Sequence, residues 1–266
     1  MTTRASPDLA PLVFITGASS GLGQALAARY AQAGWRLALL ARRTDLIHDW
    51  VNTQGLSPDR VAVYGADVAD IDAIVRAGQS CLQAQGVPDV VIANAGISIG
   101  MDTAQRQDLD VMARTFAVNT VGLAATFHPF IAPMTQRGAG TLVGIASVAG
   151  IRGLPGHGAY CASKAAAISY CESLRGDLRT RGVKVVTLSP GYVATPLTHR
   201  NRFPMPFLMT PDHFARQAVR AIAAGVPHRI IPWQMAIVAA VLRVLPAAWL
   251  DRLLAGRPRK QRQGEA

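Results

Sequence analysis

Short apolar runs alternate with longer helical segments along most of the chain, and this alternation restricts its fold more than any other feature. Six runs are nearly continuous in apolar residues and a short seventh follows them; they span 12–16, 36–41, 60–67, 88–96, 140–147, 183–191 and 228–233. Strands of this composition are typical of a parallel sheet that helices cover on both faces. The chain is therefore predicted to form one doubly wound α/β domain with about seven parallel strands.

Helical segments fill the gaps between these runs and set the predicted organisation of the chain. They lie at about 22–34, 70–84, 108–136 and 158–181. We predict a main domain at 1–232, an apolar helical extension at 233–254 and a basic tail at 255–266.

The composition agrees with a single intracellular domain. Half of the 266 residues are hydrophobic, which is ample for one large core. The three cysteines, Cys81, Cys161 and Cys171, are odd in number and have no metal-ligand spacing. We therefore expect reduced cysteines, no metal and a cytoplasmic location. The N-terminal segment lacks the apolar core of a signal peptide.

The net charge is strongly positive, and part of the excess is local. Lys and Arg number 27 against 16 acidic residues, which gives +11, and the segment "RLLAGRPRKQRQ" at 252–263 is basic. Basic tails suit nucleic acids or anionic membranes, but they are more often solvated chain ends. Because no zinc-finger, RNP or helix-turn-helix signature accompanies the tail, no nucleic-acid partner is predicted.

Distinctive residues follow each of the first six strands. They read "TGASSGLG", "ARR", "AD", "NAG", "S" and "PG" in chain order. In a doubly wound sheet the carboxyl ends of the strands meet at one edge, where ligands bind. These segments are therefore predicted to face one crevice.

The first of these segments has the character of a phosphate-binding loop. Gly17, Gly21 and Gly23 lie between a strand and a helix with the spacing G-x-x-x-G-x-G. Glycines allow the backbone to approach a pyrophosphate, whose charge is stabilised by the helix N-terminus. The loop predicts a Rossmann-type dinucleotide site.

The end of the second strand indicates which dinucleotide binds. Ala41 stands near the position where many NAD-binding folds place an acid, and Arg42 and Arg43 follow it. A guanidinium would bind a 2′-phosphate that an acid would repel. Asp45 is the competing acid, but we expect it in the first turn of the next helix. The pattern favours NADP over NAD.

Tyr160 and Lys164 lie four residues apart in the small-residue helix "GAYCASKAAAISYCESL". Positions i and i+4 share one face of a helix, so a phenol and an ammonium would lie side by side. A free phenol titrates near pH ~10, and bringing that pKa to neutrality would take roughly 3 units, or about 4 kcal/mol. We expect the ammonium, beside a positively charged cofactor ring, to lower the phenol pKa.

Taken together, these motifs resemble the short-chain dehydrogenase/reductase family over residues 11–232. The likeness rests on "TGASSGLG", Asp67 in "GADV", "NAG", Asn119 in "FAVNTVG", Ser147, "YCASK" and "SPGYVATPL". One position departs from the family, since Ala93 replaces a frequent asparagine before "NAG".

The resemblance implies a reaction and its residues. Tyr160 would exchange a proton with a carbonyl or alcohol oxygen, Ser147 would hydrogen-bond that oxygen, and Lys164 would hold the nicotinamide ribose and lower the tyrosine pKa. Asn119 would anchor a proton-relay water or tie a helix to a strand. Cofactor contacts are expected from Gly17, Ser19, Ser20, Gly21, Leu22, Gly23, Arg42, Asp67, Val68, Asn94, Ala95, Gly96, Tyr160, Lys164, Pro190, Gly191, Val193 and Thr195. Family members form dimers or tetramers through the helices that carry Asn119 and Tyr160, so a homo-oligomer is expected.

The segment at 192–217 corresponds by family position to the substrate loop. Its Phe203, Met205, Phe207 and Met209 suit either an adaptable apolar pocket wall or simple packing on the core. An apolar ketone or aldehyde is the expected substrate. His157 is expected in a loop near the helix start and is not assigned to the site.

The sequence allows two interpretations of the C-terminal extension. The stretch 233–254 is apolar, but Arg243 and Pro246 interrupt it, so it is too short to span a bilayer and should form two helices. One reading is a membrane-surface contact, with basic residues Arg252, Arg257, Arg259, Lys260 and Arg262 reaching anionic lipid. The other is a lid or subunit contact.

The sequence thus supports an NADP(H)-dependent oxidoreductase acting on a carbonyl or alcohol. Two alternatives stay open, a cofactor-sensing regulatory or scaffold protein and a membrane-surface binding module. The presence of Ser147, Tyr160, Lys164 and Asn119 weighs against the first alternative.

Overall fold

The computed structural model of the chain describes residues 10–199, 201, 203–256, 259–262 and 264, so that Arg257 of the basic tail lies outside the described residues. Seven strands form one parallel sheet, which confirms the predicted doubly wound fold. They are β1 (Leu12–Thr16), β2 (Arg36–Ala41), β3 (Val61–Gly65), β4 (Val90–Ala93), β5 (Gly140–Ile145), β6 (Val183–Pro190) and β7 (His228–Ile231). Their order is β3-β2-β1-β4-β5-β6-β7. The strand order reverses between β1 and β4, and a crevice forms at such a switch point.

Nine α-helices accompany the sheet within the described residues. They are α1 (Gly21–Gln32), α2 (Asp45–Thr53), α3 (Ile71–Gln85), α4 (Arg106–Phe116), α5 (Gly122–Arg137), α6 (Gly158–Leu178), α7 (Pro211–Ala223), α8 (Trp233–Val244) and α9 (Ala247–Leu254). Asp45 begins α2, as expected. The single helix predicted at 108–136 is instead interrupted by a π-helical turn at Ala117–Val121.

Alternate residues of each central strand pack into opposite cores. Leu12 and Phe14 belong to a cluster with α3, α5 and α6, whereas Val13 and Ile15 belong to a cluster with α1 and α7. All four side chains are fully buried. Burying an aliphatic or aromatic side chain of this size stabilises a fold by about 1.5–3 kcal/mol, so both faces of the sheet are held by helices.

Most of the predicted strands are one to three residues too long at their carboxyl ends. β4 ends at Ala93, and the side chain of the next residue, Asn94, donates from Nδ2 to the Thr16 carbonyl at 2.9 Å. A strand ends where its ladder ends, and apolar composition does not mark that point. The residues beyond it are the ones that face the crevice.

The C-terminal extension forms two helices that separate at Leu245 and Pro246, as expected. On one side of α8, Met235 and Ala239 are buried, and the Arg152 guanidinium donates to the Leu245 carbonyl at 2.9 Å. Both helices carry exposed apolar residues, which we call the outer face: Trp233, Ile237, Val241 and Val244 on α8, and Trp249 and Leu253 on α9. No described helix has both the length and the apolar character needed to cross a bilayer.

Candidate active site

One cavity of about 430 Å³ opens at the carboxyl edge of the sheet. It brings together Ser147 and every predicted cofactor residue except Gly23. These are Gly17, Ser19, Ser20, Gly21, Leu22, Arg42, Asp67, Val68, Asn94, Ala95, Gly96, Tyr160, Lys164, Pro190, Gly191, Val193 and Thr195. Gly23 and Asn119 do not line the cavity; they lie behind its wall.

Gly23 supports the glycine-rich loop from below. A Cβ built on Gly23 would overlap the Gly17 carbonyl, so only glycine lets the first turn of α1 pass under the loop. Gly17 itself has φ +65°, which favours glycine. Within the described residues, no side chain caps α1, and its first turn holds no acid. The partial positive charge of the helix N-terminus therefore faces the cavity without a protein anion.

Asn94 braces the loop as well as bordering the cavity. Its Nδ2 donates to the Thr16 and Gly17 carbonyls, at 2.9 and 3.2 Å. Its backbone N–H donates to Thr16 Oγ1 at 3.1 Å. Asn94 thus holds the end of β4 against the end of β1 and fixes the loop between them.

The end of the cavity beside β2 and β3 carries arginines. Arg42 Nη1 lies 3.3 Å from Asp67 Oδ2, and both side chains are exposed. An exposed pair of this kind contributes about 0–1 kcal/mol, so Arg42 can exchange its partner at little cost. Arg43 also borders the cavity. Two guanidinium groups against one carboxylate give this end a positive excess.

Ser147 and Tyr160 meet at the other end. Ser147 follows β5 and begins a 3₁₀ turn at Val148–Gly150, with its Oγ accepting from the Ala149 N–H at 3.1 Å. Its side chain also lowers the pKa of the Tyr160 phenol, and both residues border the cavity. Tyr160 lies in the first turn of α6. A serine at a strand end and a tyrosine at a helix start therefore present their hydroxyls together.

Burial raises the pKa of Tyr160, and the Ser147 side chain only partly opposes that rise. The expected lowering of this pKa by Lys164 is not what the structure gives. Lys164 is 3% exposed, and its Nζ donates to the Ile145 carbonyl at 2.7 Å. Burial lowers the pKa of Lys164 to about 8. Desolvation by burial is the dominant influence on both groups, and no lowering of the Tyr160 pKa by Lys164 accompanies it.

Asn119 lies in the π-helical turn and is 1% exposed. Its Oδ1 accepts from the Ile97 N–H at 2.8 Å, and its Nδ2 donates to the Ile97 carbonyl and to Ser163 Oγ, at 2.9 and 3.0 Å. The side chain thus ties the turn to the segment after β4 and to α6. This is the structural role that the sequence left open, and the proton relay stays a prediction.

Gly96 keeps this end of the cavity open. A Cβ at this position would lie 3.3 Å from Asn119 Oδ1 and 3.4 Å from Lys164 Nζ. Both distances are tighter than ordinary contacts, so a side chain here would press on the amide and on the ammonium. The glycine that ends "NAG" therefore fits a close approach between a ligand and Lys164.

Further residues border the cavity that sequence reasoning did not assign. They are Leu40, Ala41, Arg43, Ala66, Ile97, Val118, Ile145, Ala146, Pro196, Leu197 and Thr198. Most of them flank a predicted motif at a strand end, so extending each motif by one or two residues would have found them. Val118 reaches the cavity through the π-helical turn, and no local pattern signals that position.

Some apolar residues of the substrate loop are buried and others are exposed. Met209 is buried and pairs with Val193 in a parallel bridge, so it belongs to the core. Phe203 lies 5.5 Å from the His157 ring and 6.2 Å from the Tyr192 ring, and Phe207 is exposed. The range predicted for this loop also runs past Pro211 into α7.

Comparison with known proteins agrees with this architecture. The family model for short chain dehydrogenase matches residues 11–204. An uncharacterized oxidoreductase of Myxococcus xanthus is 38% identical over 240 residues, which cover 89% of this chain and 93% of the relative.

Two solved structures superimpose on most of the chain. An alcohol dehydrogenase from Thermococcus sibiricus, complexed with 5-hydroxy-NADP, has a TM-score of 0.72 at 26% identity and covers 83% of this chain and 95% of its own. A 3-ketoacyl-(acyl-carrier-protein) reductase from Brucella melitensis, complexed with NADH, shares the fold with a TM-score of 0.76 at 24% identity, over 84% and 97% of the two chains. The chain therefore belongs to the short-chain dehydrogenase family and is an oxidoreductase of that family.

Proposed function

We propose that the protein is an NADP(H)-dependent oxidoreductase that interconverts a carbonyl compound and its alcohol. The supporting observation is one cavity with Ser147, Tyr160 and Lys164 at one end and Arg42 at the other. A dinucleotide would extend between these ends, with its pyrophosphate at the N-terminus of α1. The glycines at positions 17, 23 and 96 fit such a ligand, because side chains there would fill or distort the cradle.

In this proposal the side chains handle the proton and the substrate oxygen. A bound NADPH supplies the hydride to the carbonyl carbon. Ser147 donates a hydrogen bond to the carbonyl oxygen, where negative charge develops. Tyr160 donates its proton to that oxygen, and its raised pKa keeps it protonated at neutral pH. Lys164 binds the nicotinamide ribose, and Asn119 holds the turn that carries the relay.

NADP rather than NAD is proposed because of the positive end of the cavity. Arg42 and Arg43 border it, and Asp67 is the acid that the structure places beside Arg42. A 2′-phosphate would replace Asp67 as the partner of Arg42 and make charge-assisted hydrogen bonds, which are about twice as strong as neutral ones. The Thermococcus relative was solved with an NADP derivative.

Tyr160→Phe tests the proposed reaction. The variant should bind NADPH as the wild type does and lose roughly 100- to 10,000-fold in turnover, because the proton donor is removed. NADPH consumption over a panel of aldehydes, ketones and sterols provides the wild-type rate, and fluorescence titration provides the affinity. Substantial residual turnover in the variant would overturn the assignment of Tyr160. No turnover by the wild type with any compound would favour the cofactor-sensing or scaffold alternative.

We also propose a homo-oligomer formed through the helices that carry Asn119 and Tyr160. Leu109 on α4 and Val121 in the π-helical turn are exposed in the single chain, which supports a subunit contact on this side. Sedimentation velocity tests the proposal, since the wild type should sediment as a dimer or tetramer.

Contact with an anionic membrane surface is proposed for the outer face. Its two tryptophans and four aliphatic residues are exposed on α8 and α9, and Arg243 and Arg252 are exposed beside them. Tryptophan and arginine suit the boundary between acyl chains and anionic headgroups. A cytoplasmic location agrees with the three buried free cysteines.

A further inference from the structure

The described residues of the basic tail lie against the mouth of the active site. The Gly100 N–H donates to the Gln261 carbonyl at 2.9 Å, and Gly100 pairs with Arg262 in a parallel bridge. A Cβ on Gly100 would overlap the Lys260 carbonyl, so this close approach needs glycine. The tail is therefore held against the loop between β4 and α4.

Two cationic side chains fasten the tail further. Arg262 Nε donates to Asp108 Oδ2 at 2.6 Å, and its Nη2 donates to Asp108 Oδ1 at 3.3 Å. Asp108 is 2% exposed, and the hydrogen bond from Arg262 lowers the pKa of Asp108, which keeps it ionised. Lys260 Nζ donates to Asn201 Oδ1 and to the Leu197 carbonyl, both in the substrate loop. The tail thus bridges the loop after β4 and the substrate loop.

A second cavity of about 500 Å³ lies between these segments. It shares Ile97, Pro196 and Leu197 with the cofactor cavity, so the two cavities are adjacent. Ile97 is the residue whose backbone binds the Asn119 side chain. A substrate that presents its carbonyl to Tyr160 would therefore extend its remaining part into the second cavity.

The second cavity has cationic residues in its wall. Arg114, Lys260 and Arg262 border it, and the carboxylate of Asp108 is paired with Arg262. Among the residues that the structure describes, neither Arg114 nor Lys260 has a carboxylate partner. Apolar residues, Ile97, Ile99 and Leu197, also line it.

We propose that the second cavity binds an anionic group at the far end of the carbonyl substrate, with Arg114 and Lys260 as its ligands. The substrate class is a carbonyl compound with an apolar middle part and a terminal carboxylate, sulfonate or phosphate. This proposal rests on the proposed reductase function and adds the substrate class to it. A guanidinium suits bidentate binding of such groups, and burial away from water strengthens the ammonium contact.

A benzoate and its methyl ester test the proposal, because the ester keeps the ring and the aldehyde but lacks the negative charge. The wild type, with saturating NADPH, should reduce 4-formylbenzoate at least about tenfold more efficiently than methyl 4-formylbenzoate, because a hydrogen bond to a charged group contributes more than one to a neutral group. Arg114→Gln and Lys260→Gln should each lower the ratio of the two catalytic efficiencies, carboxylate over ester, about tenfold, and this ratio separates loss of the charged contact from any change that affects both substrates. Lys260→Arg should retain the preference. Arg106→Gln, an exposed position on α4 outside both cavities, is the matched control and should behave as the wild type.

Equal efficiency with the two aldehydes, or variants that slow both alike, would overturn the proposal while leaving the reductase function in place. A readout without turnover separates the two failures. Terephthalate titrated into the complex with saturating NADP⁺ should bind the wild type about tenfold more tightly than Arg114→Gln, by the same charged contact. Equal or no binding to the two proteins would overturn the anionic subsite even if every aldehyde proved inert.

Discussion

The glycine-rich loop and the C-terminal tail use the same physical device at opposite ends of the active-site edge. In each, backbone passes so close to backbone that a Cβ would overlap a carbonyl oxygen, at Gly23 against Gly17 and at Gly100 against Lys260. Gly23 and its partner lie within one short motif, whereas the partner of Gly100 comes from the end of the chain. The sequence therefore marked Gly23 as part of a motif, although as a cofactor contact, whereas no motif marked Gly100. The difference teaches that sequence identifies a close approach only when both partners belong to one local pattern.

The largest effect is expected at the loop. Gly23→Ala would push the first turn of α1 away from Gly17 and distort the pyrophosphate cradle. Overpacking costs about 1–3 kcal/mol or more, so the affinity for NADPH should fall by roughly 100-fold. Fluorescence titration with NADPH measures it.

Gly176→Ala is the matched control, because a Cβ there meets no atom within 4 Å. It lies inside α6, where alanine is favoured over glycine. An unchanged NADPH affinity in Gly23→Ala would show that the loop tolerates the shift and that the close approach has no bearing on the cofactor.

Arg42→Gln tests the phosphate end of the same region. The variant should lose about 30-fold in kcat/KM for NADPH, because a charge-assisted contact to a phosphate contributes about 1.5–3 kcal/mol. Its kcat/KM for NADH should change little. Steady-state kinetics with the two cofactors measures both values, and a wild type that prefers NADH would contradict the proposed cofactor.

Much of the fold was predictable because its signals are local. Strands appear as apolar runs, and the residues that follow them appear as motifs, so the sheet and most of the cofactor cavity were expected. Strand ends were misplaced because ladder pairing, not composition, ends a strand. The π-helical turn was missed because it depends on bonds from Asn119 to Ile97 and Ser163 across three segments.

The pKa shifts in the site were harder to predict than the identity of the residues that line it. The spacing predicted that Tyr160 and Lys164 share one helix face, and both border the cavity, but the direction of the tyrosine pKa shift depends on how much water the fold removes. The position of the tail likewise depends on Asp108, a helix residue that no motif marks. Burial and long-range pairing are properties of the assembled chain.

Gly100→Ala tests whether the C-terminal tail acts independently of the glycine-rich loop. The substitution should displace residues 259–262 and raise the KM for 4-formylbenzoate about tenfold, since Lys260 leaves the second cavity. The affinity for NADPH should not change. Gly153→Ala, where a Cβ meets no atom within 4 Å, is the control. A loss of NADPH affinity as large as that of Gly23→Ala would show that the two regions act as one unit.

The smallest effect is expected on the outer face, where four aliphatic residues remain after both tryptophans are changed. Trp233→Ser with Trp249→Ser should lower several-fold the fraction of protein that pellets with vesicles of phosphatidylserine and phosphatidylcholine, because tryptophan anchors at the interface while Arg243 and Arg252 each contribute about 1 kcal/mol. Turnover of NADPH should not change, since neither tryptophan borders a cavity in the described residues.

Ile71→Ser, an exposed apolar position on α3, is the control and should pellet as the wild type does. Raised salt distinguishes a membrane contact from a subunit contact. It should release the wild type from the vesicles, because screening weakens a headgroup contact but does not weaken apolar packing between subunits. A wild type that stays in the supernatant, and whose oligomer dissociates when the tryptophans are replaced, would assign the outer face to a subunit contact instead. In that case the C-terminal extension would form the subunit contact. The neighbouring subunit, as well as Asp108, would then position the cationic tail.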